Sequence, residues 1–129
     1  MKLTRVTPNL ISDDLPRALA FYRDVLGFSA VTTVPDAAPF VFIMLERDGV
    51  HVFLNDPGPM RHDAPDVTSF VVGQSGVAMF FMMEDVAAFW EQVRHKTRVV
   101  MALRDQWYGM REFSITDPDG YVLTFAERI

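Results

Sequence analysis

Two segments of this chain begin a helix and form a turn at the same spacing, 71 residues apart. Asp14 precedes an apolar helical pattern, and Asp85 precedes a second one (85 − 14 = 71). Asp-Gly dipeptides at 48–49 and 119–120 mark turns at the same offset (119 − 48 = 71). A constant offset between a helix start and a turn is typical of a duplicated supersecondary unit, and two such units usually share a cleft. The repeat therefore predicts two equivalent modules and indicates where a site lies, without naming its ligand.

Each module has the pattern of a strand, a helix and three further strands, which predicts an α+β fold. Asp14 is suited to cap the first helix, and Gly27 to end it. Period-two alternation and turn residues delimit the predicted strands. These are 3–11, 28–34, 40–47 and 50–55 in the first module, then 77–83, 98–104, 110–116 and 122–127 in the second. We expect a single domain with module one at 1–55, a connector at 56–76 and module two at 77–129.

The connector has the composition of a surface loop. Three prolines fall between Asp56 and Asp66, and proline-rich segments of this kind usually lie outside regular core elements. The stretch 67–75 is compatible with a short additional strand.

Composition excludes several classes of protein. Half of the 129 residues are hydrophobic and eleven are Phe, enough for one substantial core. The absence of cysteine excludes disulfides, thiolate metal sites and a thiol nucleophile. A net charge of −5 disfavours nucleic-acid binding. No apolar run approaches the roughly 18 residues of a membrane span, and no signal peptide pattern is visible, so a cytoplasmic location and no membrane association are expected.

Two runs of residues carry a family resemblance. SDDLPRALAFYRDVLGF (12–28) and YGMREFSITDPDGYVLTFAE (108–127) resemble the glyoxalase, bleomycin-resistance and extradiol-dioxygenase superfamily, and most closely its bleomycin-resistance branch. The resemblance spans nearly the whole chain. It implies two βαβββ modules that form a curved mixed sheet around a cleft, commonly within a homodimer. Because that superfamily includes isomerases, dioxygenases, thiol transferases and drug-sequestering proteins, the resemblance does not define an activity.

The metal enzymes of this superfamily carry His, Gln or Glu ligands on the first and last strands of each module. The corresponding positions here, counted from the helix-opening Asp and the Asp-Gly turn, are Thr7, Phe53, Ala78 and Thr124. A transition metal needs imidazole, carboxylate or thiolate donors, which these residues do not offer. We therefore expect no metal and no other cofactor. His51 is the remaining alternative, although a lone histidine is more often a hydrogen-bonded strand residue or a residue lining the cleft.

The predicted site is aromatic and amide-rich. If the four positions face the cleft, strand alternation brings Asn9, His51, Asn55 and Phe80 to the same surface. Trp107 and Tyr108 precede a strand within a loop, where adjacent aromatics suit a binding edge or a packing contact. Glu112 is either a general base in the cleft or a surface carboxylate paired with a neighbouring Arg. The candidate ligand-binding residues are Thr7, Asn9, His51, Phe53, Asn55, Phe80, Trp107, Tyr108, Glu112 and Thr124, and none is assigned as catalytic.

The pattern favours a metal-independent small-molecule binding protein of the bleomycin-resistance type, holding an aromatic or cationic organic ligand in the cleft. The alternative is a lyase, isomerase or dioxygenase-like enzyme that uses Glu112 or His51, and a third possibility is a fold that serves assembly alone. Eight Met and eleven Phe exceed what such a core needs. We therefore expect a self-association surface and a homodimer.

Overall fold

The structure is a computed structural model of the chain and describes residues 1–63, Val72 and 76–129. The chain divides into two compact units, Met1–Val72 and Gly73–Ile129. Each unit contains a four-stranded mixed sheet with one helix after its first strand, so the predicted α+β class with two βαβββ modules is confirmed. Apart from Val72, the stretch compatible with an additional strand, 67–75, lies outside the described residues.

The first unit is a mixed sheet whose first and last strands are neighbours. Its sheet order is β1-β4-β3-β2, with β1 parallel to β4 and the other neighbours antiparallel. Alternate residues of the two central strands are fully buried with Tyr22 and Leu26, as a sheet with one covered face requires. The elements are β1 (Asn9–Ile11), α1 (Leu15–Ala20), a π-helical turn (Phe21–Val25), β2 (Ser29–Val34), β3 (Phe42–Arg47), β4 (Val50–Asn55) and α2 (Pro57–Asp63).

The second unit repeats this architecture around an aromatic core. Its sheet order is β5-β8-β7-β6, again with a parallel first and last strand. The helix buries Val86, Phe89, Trp90 and Val93 at helical spacing. Phe113 contacts Trp90 and Phe125 at ring-centroid distances of 5.1 and 5.4 Å. The elements are β5 (Ala78–Met82), α3 (Val86–Val93), β6 (Arg98–Asp105), β7 (Met110–Thr116) and β8 (Val122–Arg128). Across the described parts of both units, no helix is long and apolar enough to span a bilayer.

Strand registers preserve the 71-residue repeat where the parallel strands pair. Asn9 lies opposite Phe53 in the first unit, and Phe80 lies opposite Thr124 in the second (80 − 9 = 71, 124 − 53 = 71). The positions deduced from sequence counting are therefore structurally equivalent on the two last strands.

The hairpins that follow differ by one residue. Phe53 pairs with Met44, whereas Thr124 pairs with Ser114 (114 − 44 = 70). In the first hairpin the two turn residues at 48–49 both have positive φ, 52° and 81°, which suits a tight two-residue turn. In the second, Asp117 Oδ1 accepts the N–H groups of Asp119 and Tyr121 at 2.9 Å each, which supports a longer turn.

The predicted strand at 3–11 is too long. Only Asn9–Ile11 pair with β4, and the residues before Pro8 lie outside any strand. The Pro8 carbonyl still accepts the Phe53 N–H at 2.9 Å, but proline has no N–H with which to continue the ladder. The alternating pattern of 3–7 therefore has no partner strand among the residues that the structure describes.

The connector is not entirely a loop, because α2 occupies Pro57–Asp63. Pro57 and Pro59 both fall in the first turn, where a missing N–H costs no helical hydrogen bond. Asp56 Oδ2 accepts the Gly58 N–H at 2.9 Å and so satisfies one of the first-turn donors. The prolines that suggested a loop are thus compatible with a helix start.

The two main helices are capped differently. Asp14 Oδ1 accepts the Arg17 N–H at 3.1 Å, as its position predicts. Asp85 has a left-handed conformation and its side chain caps nothing. The carboxylate of Glu127 instead accepts the N–H groups of Asp85 at 3.1 Å and Val86 at 3.2 Å. The last strand of the second unit therefore stabilises the start of its helix.

The two tryptophans should contribute unequally to stability. Trp90→Ala should lower the free energy of unfolding by about 3–5 kcal/mol, because the indole is buried against Phe113. Trp107→Ala should change it by less than about 0.5 kcal/mol, because the Trp107 side chain is fully exposed. Chemical denaturation followed by circular dichroism measures both, and equal losses would contradict the assignment.

Candidate functional site

The candidate residues of the first unit lie together on one face of its sheet. Asn9 and Phe53 are register partners, and Asn55 Nδ2 donates a hydrogen bond to Asn9 Oδ1. His51 is half-buried two residues before Phe53 and therefore shares its face. Thr7, also half-buried, precedes β1. This face offers an aromatic ring with amide and imidazole groups beside it.

The second unit presents a similar face with different chemistry. Phe80 is 53% exposed and lies opposite Thr124 across the parallel strands. The Thr124 hydroxyl is within 2.7 Å of the Ser114 hydroxyl on the neighbouring strand, so the two hydroxyls are hydrogen-bonded to each other. The structure thus brings an exposed ring next to a small hydroxyl pair.

The aromatic pair Trp107 and Tyr108 occupies the tight turn between β6 and β7. The Gln106 N–H donates to the Met110 carbonyl at 2.7 Å, and the Gly109 N–H donates to the Gln106 carbonyl at 3.1 Å. Gly109 has a φ of 82°, a conformation that favours glycine. The two rings meet edge to face at 5.4 Å, and Trp107 is 93% exposed. The turn therefore holds a large indole in solvent.

Glu112 is buried directly behind this turn. Its side chain is only 4% exposed, and its Oε1 accepts hydrogen bonds from the Tyr108 hydroxyl and from Gln106 Nε2, the latter at 3.2 Å. Gln106 Nε2 also lies 3.5 Å from Met101 Sδ. Glu112 Oε2 is buried and has no hydrogen-bond partner among the described residues. Glu112 Oε1 thus accepts two hydrogen bonds, and Glu112 Oε2 accepts none among the described residues.

The interpretation of Glu112 as a surface carboxylate paired with an Arg is wrong. Arg104 is its cross-strand neighbour in the register, yet the described residues include no ion pair between them. Arg111 instead binds Asp105 through two hydrogen bonds of 2.7 and 3.2 Å. This pair lowers the pKa of the Asp105 carboxyl, chiefly through the hydrogen bond from Arg111. Arg111 is therefore engaged by Asp105 rather than by Glu112.

The hydrogen bond to Glu112 raises the pKa of Tyr108. Partial burial and the negative charge of Glu112 act in the same direction, and the positive charge of Arg104 opposes them. Each of the dominant causes stabilises the neutral phenol. Tyr108 therefore acts as the donor and the carboxylate as the acceptor.

The four positions equivalent to metal ligands in the superfamily offer weak donors or none. Phe53 and Ala78 have no donor atoms, and the Thr124 hydroxyl is bonded to Ser114. Within 1–63, Val72 and 76–129, no three His, Cys, Asp or Glu residues are grouped so that they would hold a metal ion. The donor set of these positions does not fit a transition metal.

Comparison of the sequence with known proteins identifies the family of the chain. A family model of the glyoxalase/bleomycin resistance protein/dioxygenase superfamily matches residues 2–125. The chain belongs to this superfamily. Within it, the chain is 26% identical to a bleomycin resistance protein of Geobacillus stearothermophilus over 95% of each sequence. It is 31% identical to an uncharacterised protein of Mycobacterium bovis, covering 90% of this chain and 78% of the relative.

Solved structures support the same glyoxalase-superfamily fold. TioX from Micromonospora sp. ML1 aligns with a TM-score of 0.79 at 20% identity, covering 98% of this chain and 99% of TioX. A glyoxalase/bleomycin resistance protein/dioxygenase from Nocardioides aligns with a TM-score of 0.79 at 18% identity, covering 100% of this chain and 85% of the other. At these identities the likeness concerns the fold alone.

Sequence reasoning did not identify two polar neighbours of the site, Gln106 and Ser114. The turn contained a signal for the first: a left-handed Gly109 brings Gln106 opposite Met110 and so toward Glu112. Ser114 follows from Glu112 by strand alternation, because residues two apart share a face. Both belong with the predicted residues of the second unit.

Tyr108 should ionise above the usual tyrosine value of about 10. Glu112→Gln removes the negative charge, so the pKa of Tyr108 should fall back toward that value. Ultraviolet absorbance of the phenolate measures the titration, and Tyr108→Phe identifies its contribution among the three tyrosines. Because the folded-state pKa is raised, the associated stability is present below about pH 10 and is lost as the pH rises through the folded value. A titration unaffected by Glu112→Gln would show that the bond does not form in solution.

Proposed function

We propose that this protein binds small molecules in the manner of a bleomycin-resistance protein, holding an aromatic or cationic organic ligand without a metal. The observation that carries the proposal is the pair of solvent-exposed rings, Trp107 and Tyr108, beside the buried carboxylate of Glu112 in the second unit. Phe80 is exposed on the same sheet and is part of the proposed site. Exposed rings next to a few directed polar groups are typical of sites for organic ligands. The indole of Trp107 packs on little besides Tyr108 among the described residues, which favours a binding role over a structural one.

The named relatives support this reading. The Geobacillus stearothermophilus relative, and similar proteins of Staphylococcus aureus, are called bleomycin resistance proteins and match over 95% of both chains. Since this chain covers nearly their whole length, a related binding role is the simplest extension. A homodimer in the cytoplasm is part of the same proposal.

The amide-rich face of the first unit suits orientation of a ligand by hydrogen bonding. Asn9 and Asn55 are joined by one hydrogen bond, and their amide groups have further donors and acceptors for a ligand. Phe53, which lies on β4 opposite Asn9, supplies an apolar surface. We propose that Thr7 and His51, at the edge of this set, add hydrogen-bonding groups. Thr124 serves the same purpose in the second unit.

A second function, a lyase, isomerase or dioxygenase-like activity using Glu112 or His51, is favoured by one observation. Glu112 Oε2, which has no hydrogen-bond partner among the described residues, can accept a proton as a general base must. Binding remains the preferred proposal, because each unit offers only one such group among its described site residues.

Trp107 should report on ligand binding. With bleomycin and a panel of planar aromatic compounds as probes, Trp107→Ala should weaken binding by about 0.5–1.5 kcal/mol, or roughly two- to tenfold, through loss of stacking. Trp107→Phe, which keeps an aromatic face, is the matched control and should retain most of the affinity. Isothermal titration calorimetry measures each variant. If no compound binds the parent, or Trp107→Ala binds as tightly as the parent, the proposed site is refuted.

The purified protein should hold no stoichiometric transition metal, because Thr7, Phe53, Ala78 and Thr124 lack the required donors. Elemental analysis after dialysis against a metal-free buffer is the measurement. About one zinc, iron, manganese or nickel ion per chain would overturn the metal-independent assignment.

A further inference from the structure

The only two asparagines of the chain, Asn9 and Asn55, are hydrogen-bonded to each other on the face of the first sheet that carries Phe53. Asparagine is among the residues that strands disfavour, and an exposed strand position is usually better filled by a β-branched residue. Both asparagines nevertheless occupy strands, as the first residue of β1 and the last residue of β4. A pair that strand propensity does not explain is a candidate for a role in binding.

The hydrogen bond between the two side chains is not needed to join β1 and β4. The backbone already joins these strands on both sides of the amides. The Phe53 N–H donates to the Pro8 carbonyl at 2.9 Å. The Ser12 N–H donates to the Asn55 carbonyl, also at 2.9 Å. The side-chain pair is therefore added to a strand pairing that the backbone specifies without it.

Most of the hydrogen-bonding capacity of the two amides is unused. Asn55 Nδ2 donates to Asn9 Oδ1, and neither side chain makes another hydrogen bond to the described residues. Asn9 Nδ2 therefore keeps two N–H donors, and Asn55 Oδ1 keeps both of its acceptor positions. Asn9 is exposed and Asn55 is half-buried, so both amides are accessible from solvent.

Two aromatic rings lie beside the amide pair. Phe53 is the register partner of Asn9, and Phe42 is the register partner of Asn55. The two rings contact each other edge to face with their centroids 5.2 Å apart, so each limits the rotation of the other. Both rings are half-buried and keep part of their surface free for contact. The amides therefore border an apolar surface, and we call these four residues the amide patch.

The amide patch offers a donor and an acceptor side by side and carries no charge. A carboxylate has only acceptors and would face the Asn55 carbonyl oxygen without a donor, in a protein whose net charge is −5. An ammonium group has only donors and would leave the N–H groups of Asn9 without an acceptor. A neutral primary carboxamide has both a carbonyl and an NH2 group, and it therefore matches the patch.

Resting on the proposed function, we propose that the amide patch binds a neutral primary carboxamide group of the ligand. Asn9 Nδ2 donates to the carbonyl oxygen of the ligand, and the NH2 group of the ligand donates to Asn55 Oδ1. With the existing bond from Asn55 to Asn9, each of the three amides then donates one hydrogen bond and accepts one. Hydrogen bonds arranged in this way polarise and strengthen one another. The apolar part of the ligand contacts Phe53.

Three probes of similar shape separate the groups that the patch requires. Benzamide has both a carbonyl and an NH2 group, N,N-dimethylbenzamide has the carbonyl alone, and benzoate is an anion with acceptors alone. At neutral pH the protein should bind benzamide about tenfold more tightly than either of the other two, as measured by NMR titration. Equal affinities for the three probes, or no binding of benzamide at about 10 mM, overturn the proposal.

The side-chain NH2 signals show directly where benzamide binds. The chain contains two asparagines and three glutamines, so a ¹⁵N-labelled sample gives five pairs of such signals. Spectra of Asn9→Asp and Asn55→Asp assign the two asparagine pairs. In the parent protein both should shift with one dissociation constant, whereas the pair of the exposed Gln92 on α3 should not. Benzamide binding that moves neither asparagine pair overturns the proposal.

Asn9→Asp keeps the oxygen that accepts from Asn55 and replaces only the Nδ2 donor. It should reduce the preference for benzamide over N,N-dimethylbenzamide from about tenfold to within about twofold. Gln92→Glu is the matched control, because it makes the same change from amide to carboxylate at an exposed position of α3. Its preference should equal that of the parent. A preference that survives in Asn9→Asp, or is lost in Gln92→Glu, overturns the assignment.

The broader function is judged separately by planar aromatic compounds that carry no amide group. Binding of those compounds without a preference for benzamide refutes this inference alone, whereas binding of no compound refutes both.

Discussion

The parallel pairing of the first and last strands is the contact on which each unit depends. In both units the paired residues are 44 positions apart (53 − 9 and 124 − 80), so each pairing joins the two ends of a βαβββ module. The intervening helix covers one face of the sheet, where the fully buried side chains collect. Strand alternation then directs the remaining side chains to the other face. The separation of core and candidate site is a direct result of this pairing.

The repeat in the sequence was a reliable guide to this architecture. Helix starts and Asp-Gly turns are local signals, and their constant offset predicted the equivalence of Asn9 with Phe80 that the registers confirm. Local sequence patterns gave the wrong secondary structure where pairing with another segment, or its absence, determines the structure. The alternation in 3–7 has no strand to pair with after Pro8 interrupts the ladder, and the prolines of 57–63 are accommodated in the first turn of a helix.

The strand faces of the candidate residues were predictable to a similar extent. Counting along strands predicted which residues share a sheet face with Phe53 and Thr124, because period-two geometry is a property of the backbone. Burial of Glu112 was not predictable, since the sequence cannot show which nearby Arg chooses another acidic partner. Arg111 binds Asp105 and leaves the glutamate to Tyr108 and Gln106. Which carboxylate an arginine binds depends on distances in the folded structure, and spacing along the chain does not give these distances.

The two helix caps have different thermodynamic origins. The cap of α1 joins residues three positions apart, whereas the cap of α3 joins Asp85 to Glu127 over 42 positions. A contact of the second kind carries the entropy of closing a long loop and exists only when the last strand is in place. The first helix can therefore keep its cap as an autonomous local motif, while the second couples its own stability to the C-terminal strand. The two modules therefore share their geometry but differ in how the helix is coupled to the rest of the unit.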